Sequence, residues 1–391
     1  VDKIKFLDLG KQPIANGFLD STEDFENEFF YNLSVGYDID TGLVTQMDYV
    51  DKELMFNDSY AYRGSMSKTM TAHFKKFSKN LKRELDSEPK ILEIGSNDGV
   101  FLKNWCQYNT FAVEPCGNFA EETNNMGYKT YPEFWNMETS NKILQEQYAM
   151  DVVFAANCMC HIPDLDEAFS AVHNILTPDG LFIFEDPSLV DMIIMNSYDQ
   201  IYDEHPHIFS VIALENILNR NNMSIVYVEH VNVHGGSNRI YAKKGLDNQR
   251  HESFHSSIEL EKNMGLNSIS IFNEFAHNTY SSKEDLLILL NKFKNDGSKV
   301  ISYGATSKST TVFNYCDIDS NLIAYITDTT PEKQGKYSPG AHIPIISPEK
   351  GFNSTVDFAF LGAWNFADEI KHKEEDFTGK FFTHVPVVGF V

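Results

Sequence analysis

The chain is short of positive charge. Its 32 lysines and arginines face 56 aspartates and glutamates, a formal net charge of −24 at pH 7. A polyphosphate backbone would be repelled by such a surface, which argues against a nucleic-acid partner. Long apolar runs are also missing: none approaches the roughly 18 residues that a membrane-spanning helix needs. The first residues, Val1-Asp2-Lys3-Ile4-Lys5, lack the pattern of a secretory leader. Cysteine is sparse, five in 391 residues, with no framework spacing. Cys158 and Cys160 lie too close together at a strand end to pair with each other. Reduced thiols in a cytoplasmic protein, with no membrane partner, are the expectation. What remains is 42% hydrophobic residues in a chain long enough for two or three cores.

The most informative stretch is Lys90-Ile91-Leu92-Glu93-Ile94-Gly95-Ser96-Asn97-Asp98-Gly99, followed by apolar Val100 to Trp105. It reads as a strand ending in a carboxylate, a tight turn with two glycines, then a helix start. Glycine allows the sharp turn and lets a ligand approach where a Cβ would stand. A dinucleotide loop would read G-x-G-x-x-G. Here Ser96-Asn97-Asp98 fill the turn and would crowd a pyrophosphate. A ligand with a cationic amino-acid tail and an adenosine, S-adenosylmethionine, suits the turn better. About 20 residues on, the strand Phe111-Ala112-Val113-Glu114 ends in an acid that can accept from ribose hydroxyls. Glu93, Gly95, Ser96, Asn97, Asp98, Gly99, Glu114, Pro115 and Asn157 are therefore the cofactor-side candidates.

Along the chain, residues 1–68 read as strand and turn, and a helical pattern begins at Ser67 or Thr69 (Met70, Phe74, Phe77, Leu81). Residues 69–245 alternate strands (Ile91–Ile94, Thr110–Glu114, Lys129–Tyr131, Met150–Ala155, Gly180–Glu185) with helical stretches at 117–126, 138–148 and 164–176. Such alternation implies a doubly wound parallel sheet with its ligand at the carboxyl ends of the strands. The segment Ser197 to His207 carries Tyr202, Glu204 and His205 in a run too polar for a core element. It offers a base, an orienting carboxylate and a phenol. His161 follows the fourth strand, where a lone histidine is more often structural. The turn Val233-His234-Gly235-Gly236-Ser237-Asn238 allows close backbone approach. Residues 246–391 begin with charged helix and then repeat the strand-glycine-helix plan at Tyr303-Gly304-Ala305-Thr306-Ser307-Lys308. Amides, hydroxyls and one cation there can hold phosphate oxygens.

Taken in order, eight stretches resemble the C-methyltransferases that act on nucleotide-linked keto-deoxysugars. They are Gly10-Lys11-Gln12-Pro13-Ile14-Ala15-Asn16, Tyr60-Ala61-Tyr62-Arg63-Gly64-Ser65, the Leu92–Gly99 turn, Ile201-Tyr202-Asp203-Glu204-His205, His234-Gly235-Gly236-Ser237, the Tyr303–Lys308 turn, Pro339 to Ile345, and Trp364-Asn365. The resemblance implies a small β-rich N-terminal domain, a central S-adenosylmethionine domain and a second Rossmann-like α/β domain for the substrate, a nucleotide-diphosphate sugar. It gives His205 the part of base, with Glu204 and Tyr202 beside it and one of Tyr60 and Tyr62 completing the site. On the substrate side it places His161, His234, Gly235, Gly236, Asn238, Arg239, Tyr303, Thr306, Ser307, Lys308, Lys333 and His342.

The family also carries two cysteine pairs that bind a structural zinc. Asp38-Ile39-Asp40-Thr41-Gly42 stands where the second pair belongs, and the first would fall before Val1. Aspartate and threonine cannot replace soft ligands in a closed tetrahedral site. Zinc is not expected, and the arm should be held instead by Phe18, Phe29, Phe30 and Tyr31.

The implied chemistry is removal of a proton beside a ketone, then attack of the enolate on a sulfonium methyl. Histidine is the natural base near neutral pH, Glu204 would fix its tautomer, and a tyrosine hydroxyl would steady the oxyanion. Competing readings are an O- or N-methyltransferase, an NAD-dependent oxidoreductase, and a non-catalytic binding protein. Neither glycine turn spells the pyrophosphate loop that the oxidoreductase needs.

Overall fold

The computed structural model describes residues 3–85 and 88–391; of the opening pattern Val1 to Lys5, Val1 and Asp2 lie outside them. Three sheets organise the chain. The first is antiparallel: Lys3–Pro13, Phe30–Asp38 and Val44–Gln46, closed by His207–Ile208 from the middle of the sequence. Val44 pairs with Ile208 and Thr45 with His207, so the end of the polar Ser197–His207 segment is stitched into the N-terminal sheet.

The central sheet has seven strands in the order Met223–Val231, Ser237–Lys244, Leu176–Pro187, Met150–Ala156, Ile91–Ile94, Thr110–Val113 and Lys129–Tyr131. Five run parallel and the two added at one edge run antiparallel. Strands such as Val152-Val153-Phe154-Ala155 are apolar on both faces because helices cover both. The helix Lys68–Glu84 starts at Ser67, whose hydroxyl accepts from the Met70 amide, and lays Met70, Phe74, Phe77 and Leu81 on one face. Beneath it Phe101 stacks on Phe154 with ring centroids 4.0 Å apart. Ile91–Ile94 is flanked by Thr110–Val113 on one side and Met150–Ala156 on the other, so the chain reverses its winding there. A crevice opens at the carboxyl end of that strand.

The C-terminal sheet repeats the plan with six strands: Ile345–Ile346, Ile326–Thr327, Val300–Tyr303, Phe358–Leu361, Lys380–Thr383 and Gly389–Phe390. All neighbours are parallel except the last pair, and the winding reverses at Val300–Tyr303. The helix Ile269–Asn295 ties the outer sheets together. Phe272 stacks on Phe6 of the first sheet at 5.2 Å, and Phe293 on Phe358 of the third at 3.8 Å.

Four expectations need correction. No helix follows the first glycine turn, only the short 3-10 turn Leu102–Asn104. The side-chain Nδ2 of Asn104 donates to the carbonyls of Val100 and Phe101, which a helix would use itself. Within residues 1–68, read as strand and turn, Lys52 opens a short helical turn, Lys52–Met55, capped by Asp51. The arm is not held by all four named aromatics: Phe29 and Phe30 are exposed. Its grip comes from Leu7, Leu9, Leu33, Val35 and Val44, with Phe18 and Tyr31 packed partly against them. Finally, the segment Ser197–His207, too polar on sequence for a core element, lies inside the molecule. Asp199, Gln200, Asp203, Glu204 and His205 are all buried, because the segment threads between the three sheets and finds partners on each.

Candidate active site

A cavity of about 810 Å³ lies where the crevices of the two parallel sheets face each other. Its wall is made by the turn after Ile94, the turn after Tyr303, the arm around Tyr60–Gly64 and the buried segment Gln200–His205.

At the first turn Gly95 takes φ +72, and a Cβ on it would meet the Cys158 sulfur at 2.8 Å. The carboxylate of Glu114 is held at both oxygens, by the amides of Asn97 (2.7 Å) and Cys116 (2.9 Å). Two buried oxygens here, Glu93 Oε2 and Ser96 Oγ, have no hydrogen-bond partner among the described residues. Burial, then the neighbouring charges of Glu114 and Asp98, pushes the Glu93 carboxyl well above its ordinary range. Burial also raises Glu114, though its two backbone donors oppose the shift. An acidic, partly unpaired pocket around a glycine cradle fits a cationic adenosine ligand. Pro115 and Asn157 line the same end. Asp98 and Gly99 do not line it. Asp98 is fully buried beneath Ser65, whose amide and hydroxyl it accepts, and Gly99 packs on Thr123. Asn97 reaches the other way, accepting from the Gly64 amide and donating to the Tyr62 carbonyl. Asn97 and Asp98 thus fasten the N-terminal arm over the turn.

In the buried segment, the hydroxyl of Tyr202 lies 2.9 Å from Nε2 of His205, and Nδ1 of His205 lies 2.7 Å from the Gln200 carbonyl. A carbonyl can only accept, so Nδ1 carries the proton and Nε2 is the free lone pair. Glu204 does not fix this tautomer, contrary to the sequence reading. It accepts from Asn16 Nδ2 at 2.5 Å and from the Tyr60 hydroxyl at 2.8 Å. Tyr60 therefore meets the buried carboxylate, while Tyr62, half exposed, lies at the rim. Burial, reinforced by His161 and Lys308, holds His205 well below the usual histidine range. His161 stacks between His205 (5.1 Å) and Phe56 (5.5 Å), and burial takes it down to about 3. His234, also in the wall, is likewise brought to about 3. The Nε2 atoms of His161 and His234 are buried without partners among the described residues. Three neutral imidazoles thus line one cavity.

The second turn brings Tyr303, Thr306, Ser307, Lys308 and Lys333 to the opposite wall. Burial lowers the Lys308 ammonium, an effect offset by Asp199 and Glu204. Asp199 is fully buried, accepts from Trp364 Nε1 at 2.6 Å and lies 3.5 Å from His384. Arg63 and Lys373 add two more cations to the rim of an otherwise acidic protein.

Five substrate-side candidates lie elsewhere. Arg239 is buried on the central sheet, paired with Glu185 and Glu229 at 2.7 Å and laid over the Phe77 ring. Asn238 sits in the same strand opposite Asp186 and His230. Gly235 and Gly236 back onto Trp364 and Asp191, which leave no space for a Cβ. His342 stacks on Phe25 at 3.7 Å and bonds Glu28, joining the arm to the C-terminal unit. Conversely, Asn16, Gln200 and Asp328 line the cavity without having been assigned. Asn16 and Gln200 carried a signal, one at the end of the Gly10–Asn16 stretch and the other within Ser197–His207.

One described group has ligand atoms close enough to share an ion: Cys160, His161 and His205, within 4.8 Å of one another. His161 and His205 of this group lie in the cavity wall and Cys160 is buried behind it, far in sequence from Asp38–Gly42.

The chain matches three family models in succession: a putative zinc-binding domain over residues 2–56, a methyltransferase domain over 62–228, and a C-methyltransferase C-terminal domain over 232–386. Residues 2–56 contain neither cysteine nor histidine. The central match makes this an S-adenosylmethionine-dependent methyltransferase. The C-terminal match narrows the class: the chain is a C-methyltransferase. C-methyltransferase NovU of Streptomyces niveus is 29% identical over 98% of this chain and 93% of its own length. Among solved structures, a methyltransferase from Clostridium acetobutylicum is 19% identical over 44% of this chain and 90% of that one, with a TM-score of 0.35. A 1,6-didemethyltoxoflavin N1-methyltransferase from Burkholderia thailandensis is 17% identical over 46% and 80%, also at 0.35. No helix of the described residues is long and apolar enough to cross a membrane.

Proposed function

We propose that the protein methylates a carbon next to the ketone of a nucleotide-diphosphate-linked 4-keto-deoxysugar, in the cytoplasm. In this reading residues 1–68, 69–245 and 246–391 act as arm, cofactor domain and substrate domain. The observation that carries it is the Tyr202–His205 pair standing in the same cavity as the Gly95–Glu114 turn on one side and Lys308 on the other.

S-adenosylmethionine, when bound, supplies an electrophilic methyl on a sulfonium. Glu93, Ser96, Asn97, Glu114, Pro115 and Asn157 are the residues to hold it. Because His205 is neutral and its Nδ1–H is anchored on Gln200, Nε2 can take the α-proton of the substrate. The Tyr202 hydroxyl, which now donates to Nε2, is placed to turn to the oxyanion as that lone pair fills. Glu204, held by Asn16 and Tyr60, offsets the charge that His205 gains. The remaining work is alignment of carbon, methyl and sulfur, which the closed cavity provides. Thr306, Ser307, Lys308 and Lys333 suit the diphosphate.

The test is to incubate the protein with S-adenosylmethionine and a panel of nucleotide-linked 4-keto sugars. The expected product is heavier by one methylene, and the α-hydrogen should exchange in deuterated water when methyl transfer is blocked. Methylation without such exchange would favour an O- or N-methyltransferase.

A further inference from the structure

The two glycine turns share more than a plan. After Ile94, the Gly95 amide donates to the Val113 carbonyl at 2.8 Å; after Tyr303, the Gly304 amide donates to the Thr327 carbonyl at 2.8 Å. The next residue on each second strand is an acid, Glu114 and Asp328. Its own amide bonds the third strand, at the carbonyl of Tyr131 in one unit and of Ile346 in the other. Each carboxylate is then held at both oxygens from the same two directions. Glu114 accepts from Asn97 in its turn and from Cys116 two residues on. Asp328 accepts from Ala305 in its turn (2.8 Å) and from Thr330 two residues on (2.8 Å). The shorter side chain explains why Asp328 meets the first residue after its glycine and Glu114 the second. Gly95 and Gly304 both take positive φ, +72 and +97. Both acids line the one cavity.

A carboxylate fixed by backbone amides at the end of a second strand keeps its outer lone pairs for furanose hydroxyls. We infer that Asp328 receives the pentose hydroxyls of the substrate's nucleoside, as Glu114 is placed to receive those of the adenosine. The cavity then holds two pentoses, one against each sheet, with reacting carbon and methyl between them. Lys333, whose ammonium donates to the Ala305 carbonyl and lies 3.9 Å from Asp328, stands on the phosphate side of that pentose. The inference rests on the nucleotide-sugar reading above.

The test is calorimetric titration of the full chain with nucleoside diphosphates of the five common bases, each beside its counterpart lacking the pentose hydroxyls. At least one diphosphate should bind wild type, and its hydroxyl-free counterpart should bind at least tenfold more weakly. Asp328→Asn should weaken the parent by a similar factor and leave the counterpart unchanged. It should also leave S-adenosylmethionine affinity intact, whereas Glu114→Gln should do the reverse. Equal binding of parent and counterpart to wild type, a comparison that needs no variant to fold, would overturn the role of Asp328 alone. So would an Asp328→Asn loss that is the same for both probes. Failure of every diphosphate to bind wild type would overturn the nucleotide-sugar reading, and this inference with it.

Discussion

The hydroxyl of Tyr60 donates to Glu204 at 2.8 Å, joining the N-terminal arm to the residue beside the proposed base. A hydrogen bond to a charged group contributes about 1.5–3 kcal/mol. If that contact matters most when His205 gains charge, Tyr60→Phe should lower kcat by about ten- to hundredfold. S-adenosylmethionine affinity should stay within about twofold. Steady-state kinetics with calorimetry of cofactor binding check both. An equal loss for Tyr62→Phe would count against the choice between the two tyrosines.

The depressed pKa of His205 sets a pH dependence. A histidine held below its ordinary value stays neutral, and so able to accept a proton, down into the acid range. The acid limb of kcat/KM, which reports the free enzyme, should fall below pH 6.5. His205→Ala should remove that limb, cut turnover by about 10²–10⁴, and abolish deuterium exchange at the substrate. A limb centred above pH 7 would mean that another group is the base.

Glu93 predicts a proton released on cofactor binding. Burial and its acidic neighbours push its carboxyl well above the ordinary range in the free protein, and an incoming cation favours the ionised form. S-adenosylmethionine affinity should therefore rise with pH. Its binding enthalpy should depend on the ionisation heat of the buffer. Glu93→Gln should erase that dependence; an unchanged dependence would place the proton elsewhere.

Arg239 is expected to matter for stability and not for substrate. Removing it leaves Glu185 buried without its guanidinium. Breaking such a pair costs about 3–5 kcal/mol. Urea unfolding of Arg239→Ala should show a loss of that size, and the folded fraction should keep its KM. A raised KM would restore the residue to the substrate side.

Local chemistry explains which features could be read in advance. Strand Ile91–Ile94, Gly95 and Glu114 were legible because positive φ, apolar period and chain spacing are written in neighbouring residues. The helix at Ser67 was legible for the same reason, since cap and apolar face fall in one short window. The failures came from distant contacts. Nothing near Arg239 announces Glu185 and Phe77, which lie 54 and 162 positions earlier. The Ser197–His207 segment looked too polar for a core element because its burial depends on Asn16, Tyr60 and Trp364. The tautomer of His205 was misread because its anchor is a main-chain carbonyl, which no side-chain pattern reveals.

Pro206 is followed directly by the two residues that complete the first sheet, so a single residue separates His205 from the opening strands. Truncating the chain ahead of the cofactor domain would remove both the strand that pairs with His207 and the Gly64 and Ser65 amides from which Asn97 and Asp98 accept. An enzyme assembled in that way cannot be divided at its apparent domain seams: the arm that brings Asn16 and Tyr60 to Glu204 also anchors the segment that carries His205.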